Sequence, residues 1–149
     1  MSTKLFNRKS YKPQGLISLN KIKPEIWRFD DARIIKALID RGYDVKKIKK
    51  LRYLKHQMCI SYWDQKGGVC SGFFSYRIFE RWQRAVQKLV YDCQSLYQIH
   101  SLTQLIEYEF AHYPYPQEME AAINDTIVAC ISNITEYARD QRNYRLAAS

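Results

Sequence analysis

Apolar and polar positions succeed each other along this chain with three different rhythms, and each rhythm predicts a different kind of element. From Asp30 the period is helical: Ile34, Ile35 and Leu38 fall three and four residues apart and share a face. Asp30 stands where a carboxylate accepts the free amides of a first turn, which predicts a helix through Arg41, and Gly42 supplies a left-handed exit. Asp44 follows as the cap of a second expected helix, Val45 to about Leu54, with Val45, Ile48 and Leu51 as its buried stripe. Two short helices joined by a tight turn containing glycine make a candidate helix-turn-helix.

The rhythm then changes. Met58–Trp63 and Val69–Arg77 are rich in β-branched and aromatic residues, and Asp64-Gln65-Lys66-Gly67-Gly68 between them has the glycines a hairpin turn needs. A helical period returns with Ile78, Trp82, Val86, Leu89, Cys93 and Leu96, expected as one long helix, and a shorter helix is expected over 102–111. Tyr113-Pro114-Tyr115-Pro116 must break that helix, and Pro116 suits the first position of a last helix running to about Arg142. There Ile123, Ile127, Cys130, Ile134 and Tyr137 are spaced four, three, four and three, a heptad-like seam for the chain's own helices or for a second copy.

The expected fold is therefore mainly α with a small β-hairpin: a winged helix-turn-helix followed by a helical C-terminal region. Residues 1–24, with six Lys/Arg, no acid, and prolines at 13 and 24, are expected to be a basic arm. Residues 25–77 form the expected winged region, and 78–149 the helical bundle or dimerisation region.

Charge separates these regions further. The whole chain of 149 residues carries a formal +9, but residues 1–60 hold 16 Lys/Arg against five acids, a net +11, whereas residues 61–149 carry −2. No Lys or Arg falls between Ser101 and Ala138, where Glu107, Glu109, Glu118, Glu120, Asp125 and Glu136 all lie. Such segregation points to a polyanion at the front and a different employment for the acidic back. No apolar run approaches the roughly 18 residues of a membrane span, and Lys4, Arg8, Lys9 and Lys12 interrupt any signal-peptide core. Nucleic acid is thus preferred over a membrane surface, and the expected location is the cytoplasm. Cys59, Cys70, Cys93 and Cys130 have no metal or redox spacing and read as reduced thiols.

Wound as a helix, residues 45–54 present Lys46, Lys50 and Tyr53 opposite the apolar stripe, with Lys47 and Lys49 flanking. A lysine-rich helix suits the major groove, so Lys46, Lys50 and Tyr53 are expected to face the groove. Lys47, Lys49, Arg52, Lys55 and, at the hairpin tip, Lys66 are expected on phosphates, and Arg8, Lys9 and Lys12 are candidates for a minor-groove arm. Phe73, Phe74, Tyr76, Phe79 and Trp82 admit two readings, a core joining hairpin to helix or a platform for unpaired bases. A catalytic reading finds no phosphate-cradling loop and no nucleophile elbow. Glu109 and His112 supply only half of a di-iron helix motif, and His56, Cys59 and Cys70 supply three zinc ligands without an evident fourth. The expectation is a non-enzymatic protein without cofactor.

Arg28-Phe29-Asp30-Asp31, followed by Ile34, Ile35, Leu38, Arg41-Gly42-Tyr43, Val45 and Ile48-Lys49-Lys50-Leu51, resembles a MerR-type transcriptional regulator over residues 28–54. The resemblance implies a winged domain on promoter DNA and dimerisation through a long following helix. Residues 1–27 do not carry that family's leading Arg-Tyr-Tyr helix pair. The expected partners are double-stranded DNA, or RNA through the aromatic hairpin, and a second copy in a homodimer. The alternative is an adaptor or inhibitor of a nucleic-acid enzyme that uses the acidic helices.

Overall fold

The computed structural model describes residues 15–148. It is helical with one small antiparallel sheet: α1 (Asp31–Asp40), β1 (Lys47–Tyr53), β2 (Gln57–Trp63), β3 (Val69–Ser75), α2 (Glu80–Tyr91), α3 (Leu96–His112) and α4 (Gln117–Ala148). The strands run in sequence order as a meander. No helix among the described residues is long and apolar enough to cross a membrane.

α1 forms where its signals lie. The Asp30 carboxylate accepts the Arg33 amide at 2.8 Å, and Gly42 takes a φ of +95°, open to glycine at little steric cost. The hairpin also forms as the alternation predicted, its turn fixed by the Asp64 carboxylate accepting the amides of Lys66 and Gly68.

The second expected helix does not form: residues 47–53 are strand β1, so the helix-turn-helix pair is absent here. The cause is a β-bulge. The β1–β2 register slips between Ile48 and Lys50, inserting one extra residue at Lys49. Ile48 and Leu51, three apart, thereby fall on the same face of a strand, which imitates a helical period. Tyr53, opposite the stripe in a helix, joins Ile48 and Leu51 against the core in the strand. The inner residues of β2, Met58, Ile60 and Tyr62, gain their lateral neighbours this way.

Two further departures have local causes. The single helix expected over 78–96 stops at Tyr91, because Ser95 caps α3 by accepting the Gln98 amide at 3.1 Å while Gln98 accepts the Gln94 amide in return. This is a variant of the capping box. Residues 15–22, assigned to the arm, form a turn that buries Leu16, Ile17 and Ile22. The arm residues 1–14 lie outside the described residues.

The core joins the inner sheet face to the helices. Trp27 meets Phe29, Tyr76 and Trp82 edge-on, and Phe29 stacks on Phe79 at 4.5 Å. Phe74, Tyr76, Phe79 and Trp82 are all buried, so four of the five aromatics of the run are core and Phe73 alone is exposed. Gly72 makes room on the inner face, since a Cβ there would meet the Phe74 ring at 3.1 Å. Deeper still, the Arg77 guanidinium forks onto the Glu109 carboxylate at 2.7 and 2.9 Å, the two side chains being 4% and 0% exposed. Glu109 also accepts from the Tyr115 hydroxyl and from the Leu16 amide at 2.9 Å, so its acceptor capacity is taken up inside the core. Arg77 lies over the Tyr113 ring at 3.7 Å and the Trp82 ring at 4.6 Å. Burial works against its charge, yet Glu109 holds its pKa above the ordinary guanidinium value.

Candidate nucleic-acid interface

Residues directly opposite each other in an antiparallel ladder share a face. Three inner rows, Ile48–Tyr62–Cys70, Leu51–Ile60–Gly72 and Tyr53–Met58–Phe74, turn to the core. The alternate rows are Lys47–Trp63–Val69, Lys50–Ser61–Ser71 and Arg52–Cys59–Phe73. Each outer row begins with a cation on β1. The first and third rows end on an apolar or aromatic residue of β3, Val69 being 48% and Phe73 64% exposed. None of these nine positions carries a carboxylate.

The bulge shapes this face. Lys49 swings its ammonium over the Trp63 ring, 5.1 Å from the centroid, which leaves a cation and a half-buried indole as one unit. The middle row is low, since Ser61 and Ser71 are small and hydrogen-bond each other at 2.8 Å. Rows one and three, which carry the Trp63 and Phe73 rings, are four residues apart along β2 and β3, about 13 Å. The result is a shallow saddle: a cationic edge along β1, a serine floor, and ring surface at each end.

The expected site residues divide accordingly. Lys47, Lys50 and Arg52 share the open face, Lys49 joins them from the bulge, and Lys46 is exposed just before β1, its amide bonded to the Trp63 carbonyl at 2.8 Å. Lys55 lies in the β1–β2 turn and Lys66 at the β2–β3 turn, both exposed at sheet ends. Tyr53 is not brought to this face. Its side chain points inward, stacks on Phe29 at 6.3 Å and accepts the Phe29 amide at 2.9 Å. Arg8, Lys9 and Lys12 lie outside the described residues.

Trp63 and Val69 are not among the residues expected at the site, and Phe73 is expected there only under the base-platform reading of the aromatic run. Their signal was present in the hairpin itself: strict alternation with Met58, Ile60 and Tyr62 inward leaves Trp63 and Phe73 outward. Among the described residues no group of three His, Cys, Asp or Glu is placed to hold a metal ion. Comparisons with protein-family models, with curated proteins and with solved structures find no match, so the meaning of this face rests on its own geometry.

Proposed function

We propose that this protein binds nucleic acid through the open face of its sheet, with single-stranded segments preferred over duplex. One observation carries the reading: the cations of β1, the half-buried Trp63 ring of β2 and the exposed Phe73 ring of β3 share a sheet face free of carboxylates. Lys47, Lys49, Lys50 and Arg52 hold phosphates, and Trp63 and Phe73 offer ring surface to unpaired bases. Duplex DNA was favoured by a lysine-rich helix fitted to the major groove. With the same lysines in a strand beside outward-facing rings, stacking on splayed bases is the better fit. Fluorescence anisotropy with 5′-hydroxyl single-stranded DNA and RNA, and with the matching duplexes, tests this across a salt series. Single strands should bind more tightly, and Phe73→Ala should weaken them by about 1–3 kcal/mol. Tighter binding to duplex that ignores Phe73→Ala overturns it.

A homodimer is supported by a separate observation. The buried seam of α4, Ile123, Ile127 and Cys130, continues in phase through Ile134, Tyr137 and Tyr144, while every residue from 135 to 148 is exposed. That stretch is about 21 Å of helix with an apolar stripe, which a second copy would cover. Sedimentation equilibrium should show a dimer that Tyr137→Glu/Tyr144→Glu dissociates. A wild-type monomer at all concentrations contradicts this.

A further inference from the structure

Away from the strands, a cleft of about 410 Å³ opens between α1, the start of α2 and the start of α4. That volume falls in the size class of small-molecule sites. Its apolar lining includes Phe29, Ile78, Phe79 and Met119, and Phe29 and Phe79 are already stacked nearly parallel, 17° apart. Its rim carries Arg33, Lys36 and Asp40 on α1 and Glu80, Arg81 and Arg84 on α2, so cations outnumber carboxylates on both helices together.

The carboxylates Asp40, Glu80 and Glu118 line the cleft but not the recess beside it. At one end Arg41 and Glu118 pair at 2.9 Å, and the Glu118 carboxyl is held below its ordinary range by a backbone hydrogen bond and by Arg41. At the other end an adjoining recess against Trp27 is lined by Arg33, Arg81, Arg84 and Lys88 and by no carboxylate. Lys88 reaches Asp92 at 2.8 Å, and Arg33 lies 3.9 Å from Asp30. Among the described residues Lys36, Arg81 and Arg84 enter no ion pair. The Arg81 guanidinium lies over the Trp27 ring at 4.9 Å, a stacked position that leaves its N–H edge for an acceptor. Cations gathered from two facing helices repel one another, and an anion between them reverses that balance.

We propose that this cleft binds a phosphate-bearing planar ring compound of the nucleoside monophosphate class. Arg33, Arg81, Arg84 and Lys36 take the phosphate, and the ring lies towards Phe29, Phe79 and Met119. The same chemistry is offered by a free nucleotide and by the 5′-phosphorylated end of a strand. The site is separate from the sheet face and does not depend on it.

Isothermal titration of the full chain with AMP, with adenosine and with inorganic phosphate tests the assignment. AMP should bind, with adenosine and phosphate each weaker by at least about tenfold. Lys36→Glu/Arg84→Glu, two exposed positions on intact helices, should weaken AMP by at least about tenfold, while Lys50→Glu/Arg52→Glu on the sheet leaves it unchanged. A 5′-phosphorylated oligonucleotide that displaces AMP better than its 5′-hydroxyl form identifies the strand end as the source, and equal competition identifies the free nucleotide. No AMP binding at about 10 mM, or binding indifferent to Lys36→Glu/Arg84→Glu, overturns the proposal.

Discussion

The two faces of the sheet are built from the same three strands and differ in everything but backbone. Inward, the rows pass through Tyr62, Ile60 and Met58, end on Cys70, Gly72 and Phe74, and close against Trp27, Phe29 and Phe79. Outward, the rows begin on Lys47, Lys50 and Arg52 and finish on Val69, Ser71 and Phe73. The inner face is explained by the burial it achieves. The outer face leaves a phenylalanine 64% exposed in a row with an arginine, which folding alone does not require. One face holds the protein together, and the other is the face proposed for nucleic acid.

Substitutions at matched depths should break this contrast or sharpen it. The largest effect belongs to the interior beyond the inner face: Arg77→Met strands the Glu109 carboxylate in the core and should cost about 3–5 kcal/mol in urea unfolding. Next, Met58→Ala on the inner face should cost about 2–5 kcal/mol. Phe73→Ala on the neighbouring strand's outer face should stay within about 0.5 kcal/mol while lowering affinity for single strands. Equal destabilisation by these two substitutions would erase the distinction between the faces.

A smaller effect is expected from pH. Burial raises the phenols of Tyr62, Tyr76 and Tyr115 above their ordinary value, Tyr76 to about 12. The unfolded chain releases these protons near 10, before the folded protein does. Stability is therefore intact below that value and falls as pH rises from there towards the folded value. The urea midpoint should be lower at pH of about 11 than at about 9, and Phe73→Ala should not alter the difference.

Much of the inner architecture was legible, because burial and capping leave marks at fixed spacings. Asp30 and Gly42 bracket α1, Gly67 marks the hairpin, and Pro114 and Pro116 separate the last two helices. The outer face was legible only in part. Its cations were found, but β1 was read as a helix because the Lys49 bulge spaces Ile48 and Leu51 by three. That error carried Tyr53 to the wrong side and hid the rows that join Lys47 to Trp63 and Arg52 to Phe73. Glu109 was visible only as a neighbour of His112, since its partners Arg77, Tyr115 and Leu16 are 32, 6 and 93 residues away. No local pattern records such contacts.

The outer sheet face is the proposed nucleic-acid surface, rather than positive charge wherever it lies. The most direct measurement compares two charge-matched variants, Lys50→Glu/Arg52→Glu on the sheet and Lys36→Glu/Arg84→Glu on the helices, binding a 5′-hydroxyl single-stranded oligonucleotide across a salt series. The sheet variant should bind at least about tenfold more weakly at low salt, with a slope of log affinity against log salt shallower by about 1.4, and the helix variant should match the wild type. Equal losses in the two variants would contradict the account.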